Sequence, residues 1–444
     1  MPYSYINFGT AKTQLASRLY DSDNKFWDST ELGVYINRAL RTWNSLTSYW
    51  RKEFVMDTIA STVWYDITNL TTAPNTIRPL TITDQDLINE IQYYLLEPVS
   101  SAYPLTWTGS NQFTLTQIMD AIQRVRDEIL SVTGCYITRT VVPAVAGRTF
   151  LSDTVIDVRR VAWLPVSGFG FSNIPLWPDD EWGLESFEYD FTTKAPGTPS
   201  SYRQSTQPPL SYDVDIPPAV PGDYEVLTVD AGGALTTASS STFTIPDDYT
   251  WVIVFGVLAD LFSRDSNARD SMRSQYCQAR YKQGVAALMN ASALLYARVN
   301  NIPLLIEPVQ DTDNFRPRWQ SETASDPETL ALAGLNLMAA VPTPDAIYSL
   351  TLGVVQNAPT LVNDGDNVQL GRDELEAVLD YCQHLASIKM GGAEFMATIP
   401  LLDRFHAVAA VYNSKLNQLG EFTKPMYELS QGQAQRNPVL DVKV

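Results

Sequence analysis

At 444 residues the chain is longer than one hydrophobic core usually organises, so two or three domains are expected. Hydrophobic residues make up 45% and charged residues 18% of it, a balance that buries a large core yet leaves much surface uncharged, and its 22 Tyr and 10 Trp suit surfaces that neighbours cover. With 31 basic against 50 acidic residues the formal charge is -19, which excludes a protein that wraps a phosphate backbone through a basic stripe; an acidic wall can instead let a duplex slide past.

Cys135, Cys277 and Cys382 are far apart and odd in number, so neither a disulfide framework nor a zinc site is indicated, and each is expected to act as a small buried apolar side chain. Met1-Pro2-Tyr3-Ser4-Tyr5 has no charged segment followed by an apolar run. The expectation is a chain without a secretory signal, kept in the cytoplasm until assembly moves it. The most apolar stretch, 251–262, is interrupted by Asp260 and is too short to span a bilayer.

In chain order, the first strong helix begins near Asp28 or Ser29, with Glu31 in its first turn, and runs to about 50. Leu32, Tyr35, Ile36, Ala39, Leu40, Trp43 and Leu46 recur at three- and four-residue steps and mark its buried face. Strands are expected at 53–58 and 63–67, then a polar-capped helix over 84–96. A helix over 113–132 repeats the first one at an offset of 86. That offset pairs Trp27 with Phe113, Leu32 with Ile118, Ile36 with Ile122 and Arg38 with Arg124, which reads as a diverged internal duplication.

Residues 136–246, rich in Pro, Gly, Thr and aromatics, read as a β-domain inserted between helices, with strands at 154–163 and 223–229. The pentad Thr244-Ile245-Pro246-Asp247-Asp248 echoes Thr81-Ile82-Thr83-Asp84-Gln85, and helices are predicted over 248–262 and 268–300. An extended surface linker is expected at 301–328, strands at 330–341 and 348–355, and helices at 373–390 and 401–419. Residues 431–444 read as a tail that is disordered alone or ordered on a partner. The expected architecture is α+β, with repeated helical-bundle modules at 1–112, 113–300 and 329–430 and a sandwich- or barrel-like β-insertion.

Little in the sequence indicates catalysis, and no catalytic, cofactor-binding or metal-ligating residue is assigned. The only histidines, His384 and His406, lie in predicted helices, and Cys382 is two residues from His384, so the two point apart. Asp179, Asp180 and Glu181 between Trp177 and Trp182, with Glu185, Glu188 and Asp190 nearby, have the residue types of a glycosidase carboxylate pair, but a solvated loop explains them better. Asn363-Asp364-Gly365-Asp366-Asn367 resembles the start of a calcium loop but lacks the closing glutamate, and reads as a tight turn. Gly168-Phe169-Gly170 is too short for a dinucleotide fingerprint, and Gly391-Gly392 reads as a helix stop.

The helix from Phe26 to Trp43, with Trp27, Glu31, Leu32, Tyr35, Ile36, Asn37 and Ala39 in a Trp-x-x-x-Glu-Leu-x-x-Tyr-Ile-Asn-x-Ala pattern, resembles the opening helix of head-to-tail adaptor (connector) proteins of tailed bacteriophages. The helical stretches from Asp247 to Tyr281 and from Leu375 to Asn413 are similar to the helices that complete such adaptors. The resemblance implies a non-enzymatic virion protein at the neck. It would assemble in the host cytoplasm into a ring of copies, commonly a dodecamer, beneath the portal protein, bind tail or fibre proteins, and let DNA pass without specific binding. No cofactor and no membrane are implied. The β-insertion and the length depart from the small adaptors, so a tail or baseplate scaffold and a glycan-binding tail component stand as alternatives.

Overall fold

A computed structural model describes residues 5–419, apart from 69–70, 73–74, 77, 97–111, 146, 167–171, 181–193, 206–209, 239 and 265–268. The fold is α+β. Helix α1 (Phe8–Arg18) is capped by the Asn7 side chain and buries Phe8, Ala11, Leu15 and Ala16. The sequence reading did not anticipate it, since two of those four positions are alanine and the apolar stripe is thin. Helix α2 (Ser29–Thr47) starts where expected: the Asp28 carboxylate accepts from the backbone N–H groups of Thr30 and Glu31, satisfying two of the donors that a helix start leaves open. Its buried face includes Leu32, Tyr35, Ile36, Ala39, Leu40 and Trp43.

Helix α3 (Asp84–Leu95) and helix α4 (Leu115–Thr133) each open with a reciprocal capping box, Thr83 with Asp86 and Thr114 with Gln117. Helix α5 (Thr250–Ser263) is buried along nearly its whole length and lies against α3, α4 and α6 (Ser271–Met289). The chain ends its described part with α8 (Arg372–Ser387), α9 (Gly392–Met396) and α10 (Ile399–Leu419).

Strands β1 (Arg51–Asp57) and β2 (Trp64–Asp66) belong to different sheets, and β3 (Thr71–Thr72) with β4 (Asn75–Thr76) forms a small ribbon. β1 pairs antiparallel with β17 (Ser349–Val355), which pairs with β12 (Leu294–Val299), itself followed by β13 (Ile302–Pro303). β2 closes a second sheet of order β14 (Leu305–Pro308), β15 (Thr329–Ala333), β16 (Leu337–Val341), β2. Strands near the two ends of the described chain are therefore interleaved. One contiguous core accordingly runs from Phe8 through α4, α5 and α6 to Ala409.

Two readings need correction. The helix expected to reach residue 300 stops at Met289, because Leu294–Val299 is a strand paired on both edges. The expected linker 301–328 is built in: it supplies β13, β14 and helix α7 (Val309–Phe315), and buries Val309, Thr312 and Trp319. Its prolines sit where they are tolerated, Pro308 at the start of α7 and Pro303 on an edge strand. The strands expected around 330–341 are the hairpin β15–β16, turning at Gly334, whose φ of +64° favours glycine.

The β-insertion forms a seven-stranded sheet of order β5 (Thr138–Pro143), β11 (Gly222–Asp230), β7 (Val155–Pro165), β8 (Ile174–Asp179), β9 (Ser201–Gln204), β10 (Ser211–Val214), β6 (Thr149–Phe150). Only β8 and β9 run parallel. The edge strands β5 and β6 are consecutive in the chain, and the short connection between them spans at most about 20 Å, less than the ~29 Å that seven flat strands would need. The sheet therefore curls around its own core of Val158, Val161, Trp163, Tyr202, Tyr212 and Tyr224, where Tyr212 meets both other tyrosines edge to face. Residues 431–444 lie outside the described residues.

Candidate functional site

The residues that sequence reading weighed for chemistry are placed in structural roles. His384 is fully buried in α8, with Nε2 2.7 Å from the Tyr276 hydroxyl and Nδ1 2.9 Å from Thr398 Oγ1. Burial, then the nearby Arg280 guanidinium, push its pKa down to about 3, so it is a neutral ring satisfied on both nitrogens. His406 Nε2 lies 3.0 Å from Arg280 Nη1 and is held at about 3 by the same causes. Arg280 itself is buried over Trp251, Phe255 and Tyr381 and donates to the Tyr381 hydroxyl. All three cysteines are free and buried, and burial raises the thiol pKa of each.

The 363–367 segment is a turn, as expected: the Asp366 carboxylate accepts from the backbone of Val362 and Asn363, which lowers its pKa. The turn also holds the start of α1, through Phe8 N–H to the Asp366 carbonyl (2.7 Å) and Lys12 to Asp364 (2.6 Å). Gly391 and Gly392 have φ of +66° and +57°, and Gly391 caps the start of α9 after α8 has ended. Of the acidic cluster, Asp179 and Asp180 are exposed at the end of β8 beside half-exposed Trp177, while Glu181, Trp182, Glu185, Glu188 and Asp190 lie outside the described residues, as does Gly168-Phe169-Gly170. Among the described residues no group of three or more His, Cys, Asp or Glu side chains could hold a metal ion, and no helix is long and apolar enough to cross a membrane.

What the sequence did not reveal is a buried ionic clamp between the β-domain and the body. Glu225 on β11 accepts from Arg160 (2.7 Å), Arg139 (2.7 Å), Gln320 (2.8 Å) and the Trp64 indole N–H (2.9 Å). Arg160 also makes a two-pronged contact with Asp313 on α7, at 2.6 and 3.0 Å, and the Trp319 indole donates to the same carboxylate at 2.8 Å. Two cations thus meet two anions. Burial alone would raise the Glu225 pKa, but Arg160 and Arg139 outweigh it and hold the carboxyl below its ordinary value. The partners are up to 161 residues apart in sequence, so no local spacing could have announced them.

A second polar seam joins the two echoing pentads. The Asp247 carboxylate accepts from the Thr81 N–H (3.0 Å), the Thr81 hydroxyl (2.5 Å) and the Ile82 N–H, while Asp84 N–H donates to the Ser241 carbonyl and Phe243 N–H to the Ile82 carbonyl. The two helix-start segments, similar in sequence, lie side by side. Next to them Asp248 is buried, accepting from Asn44 (2.7 Å) and the Ala358 N–H (3.0 Å). Burial pushes it up to about 6, against opposing pulls from Arg78, Ala358 and Asn44. A carboxyl whose folded pKa is raised binds its proton more tightly when folded, so its contribution to stability grows as pH falls through about 6. Between pH 7 and 5 the native chain should gain about 1 kcal/mol over Asp248→Asn in urea unfolding. Equal pH slopes for the two would remove Asp248 from that account.

Among the described residues the outer surface carries open sheet edges and an open groove. β1 and β5 are sheet edges of seven and six residues. An open groove of about 400 Å³ between the start of α8 and α10 is lined by Asp373, Glu374, Glu376, Arg404, Val411 and Lys415. The loops that follow β1 and precede β17 are tied together by Thr58 and present Ile59 and Ile347, 63% and 72% exposed.

The described residues thus form an α+β body with a docked, curled β-domain and open sheet edges. Residues 82–303, half of the chain, match the SU10 adaptor protein family, and the chain belongs to that family. Membership makes it a structural adaptor protein of a tailed-phage virion and implies a non-enzymatic role. The match covers α3, α4, the whole β-domain, α5, α6 and β12. Of the residues that suggested an adaptor in sequence, the 247–281 stretch falls inside it and the Phe26-to-Trp43 helix outside. No curated protein matches the chain.

Proposed function

We propose that this protein is a head-to-tail adaptor whose copies form a ring between the portal and the tail, with DNA passing through the bore. The observation that carries the reading is the family match, which takes in the β-domain and helices α3 to α6. The formal charge of -19 supports a conduit that repels phosphate rather than a DNA-binding wall. Helices of the body would form the ring wall, the β-domain would meet tail or fibre proteins, and residues 431–444 would reach the portal or an adjacent copy. Assembly takes place in the host cytoplasm.

The body also supports a diverged duplication. Helices α2 and α4 are both 19 residues long, their first residues differ by 115 minus 29, or 86, and each is followed by a sheet-edge strand. Mass photometry of the purified chain, alone and with a portal-containing virion extract, tests the function, with negative-stain imaging for rings. Rings, or binding to portal particles, are the expected result; a monomer that ignores portal would overturn the adaptor reading.

A further inference from the structure

At seven residues β1 is long for a strand with one edge unpaired. Arg51, Lys52, Glu53 and Asp57 are charged, but the strand has no proline, its Phe54-Val55-Met56 stretch is apolar with Val55 exposed, and among the described residues no strand pairs with its outer side. Its pleat turns Phe54 and Met56 toward the body and Glu53, Val55 and Asp57 outward. Such an edge is a template for an added strand.

The chain contains one segment whose pattern fits it. Residues Val439-Leu440-Asp441-Val442-Lys443-Val444 alternate, with Leu440, Val442 and Val444 on one face and Asp441 and Lys443 on the other. Four of the six are β-branched or aliphatic valine and leucine, and they follow a polar run, Gln431-Gly432-Gln433-Ala434-Gln435-Arg436-Asn437. Laid antiparallel on β1 with Val442 opposite Phe54, the segment places Lys443 opposite Glu53 and Asp441 opposite Val55. A parallel strand in the same position would set Asp441 against Glu53. Directly opposed like charges are destabilising and opposite charges stabilising, so the antiparallel register is favoured.

Length allows another copy's edge as well as the chain's own. The α10 residues Tyr412 and Asn413 lie against Tyr49 and Leu46, just before β1: the rings of Tyr412 and Tyr49 are 5.3 Å apart and Asn413 donates to the Leu46 carbonyl at 3.0 Å. The chain's own β1 is therefore only a short step from α10. Residues 420–438 can span about 60 Å, well beyond the ~22 Å radius of gyration of a compact body of this length. We infer that residues 439–444 of one copy add as an antiparallel strand to the free β1 edge of a neighbouring copy, an exchange that rests on the ring reading and supplies its copy-to-copy contact.

The test uses full-length chains, one carrying Val55→Cys and the other Asp441→Cys, mixed in equal amounts and treated with a short bismaleimide while mass photometry follows oligomer size. The native cysteines are buried and stay silent. Covalent dimers that require both engineered cysteines, and that disappear when Val442→Pro is added to the Asp441→Cys chain, are the expected result. Oligomers without cross-links would overturn the strand exchange and leave the ring standing. Linkage confined to a single chain carrying both cysteines would assign the edge to the chain's own segment and overturn the neighbour as its source. Absence of both oligomers and cross-links would sink the ring reading and this inference together.

Discussion

Replacing Arg160 by alanine is expected to lower the stability of the chain by about 3–5 kcal/mol. The reason is the pair of carboxylates left behind. Glu225 and Asp313 have side chains 1% and 9% exposed, and Arg160 itself is 3% exposed, so no water replaces the lost guanidinium. Arg139 still reaches Glu225, but Asp313 keeps only the Trp319 indole and would be a buried charge without a cation. Arg160→Lys should recover little, because an ammonium cannot hold both Asp313 oxygens and Glu225 in the planar fork that Arg160 uses. Urea unfolding followed by tryptophan fluorescence reads the effect directly, since Trp64 and Trp319 flank the clamp with ring centroids 6.0 Å apart. The double change Arg160→Met with Asp313→Leu should regain much of the loss, because it removes charge and counter-charge together. The exposed Lys25–Asp23 pair is the control, and its removal should leave the midpoint unchanged. A midpoint equally unmoved by Arg160→Ala would mean that the β-domain is held by its apolar contacts alone.

The clamp also shows which parts of the protein the sequence could disclose. Helix α2 was legible because its signals are local: Asp28 as cap, Glu31 in the first turn, and apolar residues at steps of three and four. The same holds for α3 and α4, whose Thr-x-x-Asp and Thr-x-x-Gln openings became reciprocal capping boxes. Both histidines lie in helices, as their sequence context suggested. What stayed hidden depends on distant pairing. Leu294–Val299 follows helix α6 with residues that suit a helix, and only its partners β17 and β13 make it a strand. Residues 301–328 look like a surface strap by composition, yet Leu305 pairs parallel with Thr329 and Trp319 is fully buried against the clamp. Arg160 and Glu225 fall within the expected strands 154–163 and 223–229, but nothing in alternating β-branched sequence tells a solvated arginine from one that a carboxylate 65 residues away will neutralise.

Gly256→Val on α5 is expected to cost about 3 kcal/mol or more, and Gly256→Ala about 1. Two opposing effects set these figures. Neither Gly256 nor Gly284 on α6 has a left-handed backbone, so a side chain is not excluded there by φ, and alanine gains up to ~1 kcal/mol in helix propensity over glycine. Packing opposes this. A Cβ on Gly256 would stand 2.6 Å from Val125 Cγ1 of α4 and 2.9 Å from the Tyr281 ring of α6, and one on Gly284 would stand 2.5 Å from Val252 Cγ2 and 2.9 Å from the Trp251 ring of α5. These neighbours are buried, ring-shaped or β-branched, so they have few rotamers in which to retreat. Alanine therefore nets a loss in which propensity offsets part of the strain. Valine adds two carbons and a stiff χ1 at the same crossing, and nothing offsets them. Gly365→Ala is the matched control: no atom lies within 4 Å of its Cβ position, and the change should be neutral or stabilising by about 0.4–1 kcal/mol. Thermal unfolding of the three variants separates the effects. A Gly256→Val chain as stable as the parent would mean that α4 and α6 can move away from α5, and the close three-helix seam would then not be what fixes the body on which the β-domain sits.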